Sequence, residues 1–200
     1  MGTMSRFVDR TNTALLVIDL QVDVMVGCVD GPGVLERTDA LIARARASAV
    51  PVIFVQHEEA GMERDSDAWQ LAAPLSPHDG DARVFKAHRD AFADTTLATV
   101  LAEAGVSRLV IAGAQSDYCV RTTAQRAAAD GYDIVLVSDC HTTTDSAFDG
   151  VPISGEQIVA HTAQYFSGLT YPGQECGLET HDKVTLSSTA PVTGQGNNPR

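Results

Sequence analysis

Thr13-Ala-Leu-Leu-Val-Ile-Asp19 decides the fold. The run from Ala14 to Ile18 is unbroken by any polar residue and ends on a single carboxylate. A strand with one wet face alternates apolar and polar side chains, whereas an unbroken branched run belongs to a strand buried on both faces, as in parallel sheets. Working outward, the same pattern returns as Val50-Pro-Val-Ile-Phe-Val-Gln56, Arg108-Leu-Val-Ile-Ala-Gly113 and Tyr132-Asp-Ile-Val-Leu-Val-Ser138, with a weaker copy at Ala82-Arg-Val-Phe-Lys86. A late strand is predicted near 183–187. Between the strands lie helical spacings: 33–49 with Leu35, Leu41, Ile42 and Ala45; 94–104 with Leu97, Val100 and Leu101; 117–130; and 154–165. The last opens on Ser154 with Gln157 three residues on, the register of a capping box. Strand and helix alternate, which predicts an α/β fold: a doubly wound, mostly parallel sheet with helices on both faces, a three-layer sandwich.

The chain has 200 residues, and residues 1–187 read as a single domain with one core. Residues 188–200, almost devoid of apolar side chains, read as a disordered tail. A composition 44% hydrophobic and 20% charged is that of a soluble globular protein. Acidic residues outnumber basic ones 26 to 14, a net charge of -12, which disfavours nucleic acid and anionic membranes as partners. No apolar signal region opens the sequence, and no window approaches the ~18 apolar residues of a membrane span. Cys28, Cys119, Cys140 and Cys176 show no C-x-x-C spacing, so reduced thiols in a cytoplasm are expected rather than a zinc ribbon or a redox motif.

In an open α/β sheet the ligand sits beyond the carboxyl ends of the strands, where strand order reverses. Asp19 closes the first strand, Lys86 closes the third, and Cys119 falls in the first turn of the helix after the fourth. A thiol there gains from the helix N-terminus and a nearby ammonium, so its pKa is expected below about 8.5. Asp19 can take the thiol proton and pass it to a leaving amine while Lys86 holds the carboxylate. That chemistry is amide or ester hydrolysis. The loop Gly113-Ala-Gln-Ser-Asp-Tyr-Cys119 supplies backbone N–H groups for an oxyanion, the Cys119 amide being one donor and an earlier loop amide another.

These residues carry a resemblance. Ala-Leu-Leu-Val-Ile-Asp19-Leu-Gln21, Val-Phe-Lys86-Ala-His-Arg-Asp-Ala-Phe92, and Ile-Ala-Gly-Ala-Gln-Ser-Asp-Tyr-Cys119-Val-Arg-Thr-Thr-Ala resemble the isochorismatase-like cysteine hydrolases over roughly residues 13–165, supported by Gly131-Tyr132 and the Val-Ser-Asp139 strand end. The resemblance implies an Asp19–Lys86–Cys119 triad, a cis peptide joining Ala114 and Gln115, oxyanion donors at the amides of Gln115 and Cys119, and a homo-oligomer with the 57–81 region near a subunit contact. Nicotinamidases of this kind carry an Asp-x-His metal motif after the second strand, where this chain reads Gln56-His57-Glu58-Glu59, so no metal and no cofactor are expected.

The leading expectation is a metal-independent cysteine amidohydrolase cleaving a carboxamide-type C–N bond in a small amide, ureido or carbamoyl compound, or lactam, through a thioester. Vinyl-ether hydrolysis of an isochorismate-like substrate is the rival reaction, and a binding or assembly module without turnover is the rival class. The long connections 20–30 and 57–81 read as pocket walls, which makes Gln21, Trp69 and Tyr118 candidate pocket residues. Asp117 reads as a helix cap, and His57, His88, His141 and His161 as hydrogen-bonded structural histidines without a role in the chemistry.

Overall fold

A computed structural model describes residues 6–187. The 188–200 tail lies outside them. Six strands, β1 (Asn12–Ile18), β2 (Val52–His57), β3 (Ala82–Lys86), β4 (Val106–Ala114), β5 (Asp133–Thr142) and β8 (Cys176–Glu179), form one sheet in the order β3-β2-β1-β4-β5-β8. Every pairing in it is parallel. A two-residue-turn hairpin, β6 (Ser146–Phe148) and β7 (Val151–Ile153), stands apart from the sheet.

The unbroken apolar runs follow from burial on both sides. In β1, Leu15 and Val17 face one layer with Leu41, Ile42 and Ala45 of helix α1 (Gly31–Ala47). Ala14, Leu16 and Ile18 face the other, with Leu97 and Leu101 of α2 (Leu97–Glu103), Ala124 and Ala127 of α3 (Arg121–Asp130), and Phe166 of α4 (Gly155–Ser167). Alternate side chains of one strand thus feed two cores. Ser154 and Gln157 cap α4 reciprocally, with Gln157 N donating to Ser154 Oγ at 3.2 Å and Ser154 N to Gln157 Oε1 at 3.0 Å.

The sheet differs from the sequence-based expectation at its edge. No strand forms at 183–187; the sixth strand is Cys176–Glu179. The later segment instead lies across the α1 side, where Val184 is fully buried and its carbonyl accepts from Arg44 Nη2 at 3.0 Å, while Thr185 O accepts from Arg108 Nη1 at 2.7 Å. Side-chain guanidinium groups satisfy backbone carbonyls there in place of a neighbouring strand. The helix expected at 117–130 also divides, beginning as a π turn over Ser116–Val120 before α3.

Strand order reverses between β1 and β4, and the two run unusually close at that point. A Cβ on Gly113 would lie 2.3 Å from Ile18 O, and Gly113 has φ of +149°. Only glycine admits that approach.

Candidate active site

The order β3-β2-β1-β4 sets four carboxyl ends side by side, and each delivers one polar side chain to the same point. Lys86 is the last residue of β3 and His57 the last of β2. Asp19 follows β1 directly, in a left-handed conformation with φ of +51°. Non-glycine residues rarely adopt it, Asp more readily than most, and such strain gathers at functional sites. Cys119 rides on the π turn after β4.

Lys86 Nζ is the centre of this group. It lies 2.6 Å from Asp19 Oδ2, 3.3 Å from Cys119 Sγ and 3.2 Å from His57 Nδ1. An ammonium has three N–H bonds and no lone pair, so Lys86 can only donate toward these neighbours. The Asp19 contact is a close ion pair rather than a well-angled hydrogen bond, which leaves both carboxylate oxygens with lone pairs to accept a proton. Asp19 and Lys86 are 1% and 2% exposed, while Cys119 is half-buried at the floor of a cleft of about 300 Å3.

Burial changes the electrostatics expected of the thiol. It raises the Asp19 carboxyl above its ordinary value, more than Lys86 lowers it. It also pushes the Cys119 thiol up to about 12, with the Asp19 charge adding to the rise and Lys86 only partly opposing it. The lowering expected from a helix N-terminus and an ammonium therefore does not prevail, because desolvation of a thiolate outweighs both. The resting sulfur is a thiol beside a buried carboxyl group, not a free thiolate. Alkylation of the resting protein by iodoacetamide should accordingly be slow at Cys119 near pH 7.5 and keep rising beyond pH 10, read by peptide mass spectrometry; a plateau near pH 8 would contradict a buried thiol.

The nucleophile-bearing turn is braced from behind. The Ala114–Gln115 peptide that leads into it is cis. Ser116, fully buried, meets His141 Nδ1 at 2.8 Å through its hydroxyl, and Thr143 Oγ1 donates to Asp117 Oδ1 at 2.8 Å. Asp117 is therefore an anchor to the end of β5 rather than the helix cap its position suggests. Burial holds the His141 imidazole down at about 4, so it is neutral at physiological pH. A depressed histidine contributes stability above its unfolded value near 6.5, and loses it as the pH falls toward 4. That contribution is about 3 kcal/mol at most. Urea unfolding of His141→Gln should lack this part of the decline between pH 6.5 and 4; an acid limb identical to that of the parent would overturn it.

Both long connections wall the cleft. Asp23, Val24 and Val26 come from the first, and His57, Glu59 and Met62 from the second. Tyr118 lines it, with the Arg89 guanidinium 4.1 Å above its ring. Gln21 and Trp69 do not line it: both are buried behind the wall. Gln21 Nε2 donates to His57 O and to Trp69 O, each at 2.9 Å, and Gln21 Oε1 accepts from His57 N at 2.7 Å. Gln21 is thus a clamp joining the two loops, and Trp69 is a plug against Phe85, 5.5 Å between ring centroids. Sequence reasoning read His57 as a structural histidine and gave Glu59 and Arg89 no role, although the strand-end rule applied to β2 points at His57 and all three line the cleft.

The sequence model of the isochorismatase domain matches residues 13–154, which span all four of these strand ends. The chain belongs to the isochorismatase family. A streptothricin hydrolase of Streptomyces noursei is 38% identical over 138 residues, covering 66% of this chain and 50% of that one. A secreted isochorismatase effector of Verticillium dahliae is 30% identical over 146 residues, covering 70% and 77%. The chain spans about half the length of the streptothricin hydrolases it matches. A crystal structure of an isochorismatase family protein, 32% identical, superposes with a TM-score of 0.76 over 86% of this chain and 99% of that one.

Within this isochorismatase-family chain, one further group of potential ligands occurs among the described residues. Asp139, Cys140 and His181 place ligand-type atoms within 4.8 Å of one another. Asp139 already accepts from His181 N at 2.9 Å and pairs with its Nδ1 at 2.7 Å, and burial pushes the Cys140 thiol up to about 12. The two bonds between Asp139 and His181 fasten the 180s segment to β5. In the cleft, His57 Nδ1 faces an ammonium and is not free to ligate. No helix among the described residues is long and apolar enough to cross a membrane.

Proposed function

We propose that this isochorismatase-family hydrolase is a cysteine amidohydrolase acting on a small carboxamide, ureido or lactam substrate. The observation that carries the reading is the buried Lys86 ammonium touching both Asp19 and Cys119 at the floor of an open cleft. Cys119 Sγ attacks the amide carbon as its proton passes to Asp19, whose raised pKa makes it the better base. Lys86 stabilises the sulfur as charge develops on it. The oxyanion is received by the backbone N–H groups of Gln115 and Cys119, the latter in the first turn of a helix. Asp19 delivers the proton to the leaving nitrogen, the C–N bond breaks, and a thioester remains. Water then adds to the thioester carbon, giving one proton to Asp19; the C–S bond breaks, the carboxylic acid leaves, and Asp19 returns the proton to the sulfur. The steps use only groups of the chain and water.

The streptothricin hydrolase relative supports C–N cleavage for this chain, and the four free cysteines support a reducing compartment such as the cytoplasm. Self-association, implied by the resemblance, belongs to the same proposal and is measured by sedimentation. A panel of small primary amides, ureido compounds and lactams tests the reading, with release of ammonia or of the ring-opened acid as signal. Turnover of at least one class is expected, and inertness toward all of them would overturn it. The Verticillium relative favours a second reading, vinyl-ether hydrolysis with Asp19 as acid. Isochorismate cleavage that survives Cys119→Ala would establish that one instead.

A further inference from the structure

His57 is the side chain at this site that the proposed steps leave unused, and its environment is built rather than incidental. Its backbone is held on both sides by Gln21, through His57 N to Gln21 Oε1 at 2.7 Å and Gln21 Nε2 to His57 O at 2.9 Å. Its Nδ1 faces Lys86 Nζ at 3.2 Å, and Lys86 can only donate. The partner thus assigns the tautomer: Nδ1 accepts, and the ring proton sits on Nε2. That Nε2 lies 3.5 Å from Glu59 Oε2, too long for a good hydrogen bond. The Glu59 backbone is in turn fixed by mutual bonds with Met62, Met62 N to Glu59 O at 2.9 Å and Glu59 N to Met62 O at 3.4 Å. Both residues line the cleft that holds Cys119. The result is an N–H donor and a carboxylate acceptor held side by side, each with capacity left over, on the wall of a pocket.

We propose that His57 and Glu59 are specificity-determining residues that together bind a second amide-like edge of the substrate, a group that carries a C=O and an N–H on the same side. Primary carboxamides, ureido groups and lactams have such an edge; hydrocarbon, ether and ester groups do not. His57 Nε2–H donates to the C=O, and Glu59 Oε2 accepts from the N–H. The pair rests on the amide-cleft reading for its substrate, but it makes a claim about recognition that stands apart from turnover. Because the loops are pinned before the ligand arrives, little ordering is needed on binding.

The test uses two isosteric probes, succinamide and 4-methylpentanamide, which differ only in replacing one terminal carboxamide by an isopropyl group. Binding of each to the Cys119→Ala protein is measured by ligand-observed NMR titration, so that no turnover intervenes. Succinamide should bind about tenfold or more tightly than its isostere, the scale of two satisfied hydrogen bonds. His57→Leu should bring the ratio near the factor of two that the symmetry of succinamide allows, and so should Glu59→Ala, whose side chain is 66% exposed and whose removal leaves the core untouched. Equal binding in the parent, or a ratio unchanged in Glu59→Ala, overturns the pair. A wild-type protein that hydrolyses no amide would instead defeat the amidase reading and leave the binding ratio to decide this one.

Discussion

Replacing Cys119 with alanine is expected to lower amide turnover by about ten-thousand-fold or more, the scale on which loss of a covalent nucleophile is felt. The residue left in place still offers the backbone donors and the cleft, so a small residual rate over water remains. Stability should hardly move. Cys119 is half-buried, and its sulfur makes one 3.3 Å contact with Lys86. Losing such a contact costs about 1 kcal/mol. Steady-state kinetics beside a urea melt separates the two quantities. Unchanged turnover in a folded Cys119→Ala protein would remove cysteine from the mechanism.

The second large effect concerns Lys86. Its ammonium and the Asp19 carboxylate are both almost wholly buried, 2.6 Å apart. Taking two charges out of water is costly, and their attraction repays the cost only while both are present. Lys86→Met should therefore destabilise the protein by about 3–5 kcal/mol, because it strands Asp19 in an apolar setting. Asp19→Asn should do similar harm by stranding Lys86. The double variant should recover much of the loss, since an Asn and a Met of similar volume carry no uncompensated charge. Urea unfolding of the four proteins closes the cycle, and the double variant should sit well above either single one. Losses that merely add would mean that the two groups act independently. Activity should vanish in all three variants, so any stability they regain is not a return of function.

The fold was legible where burial is two-sided. The runs in β1, β2, β4 and β5 carry no polar alternation because both faces of the sheet are covered, and that is a property of sequence alone. The edge was not. In β8 the residues Cys176-Gly-Leu-Glu179 are only half-buried and none is β-branched, so nothing distinguishes them from a loop, whereas Val184 and Leu186 imitate a strand while serving as cover for α1. The β6–β7 hairpin escaped for the opposite reason: Phe148 and Val151 are exposed and record no core.

At the site, strand ends could be read as positions, which brought Asp19, Lys86 and Cys119 to one rim. Depth could not be read. The spacing that puts Cys119 at a helix start argues for a lowered thiol pKa, but the enclosure of Sγ beside a buried carboxylate, which reverses the sign, depends on loops that no spacing describes. The same loops decide that Gln21 clamps from behind while His57 faces the cleft. His57 is two residues beyond Val55, where the apolar run that marks β2 stops, so it reads as loop although it ends the strand.

The most direct measurement is the mass of the protein caught during turnover. Rapid acid quench with an active amide substrate, followed by peptide mapping, should find the acyl portion of the substrate, without its amine, on the peptide carrying Cys119. Steady turnover with Cys119 unmodified, or an acyl group on any other residue, would contradict a cysteine mechanism at this site.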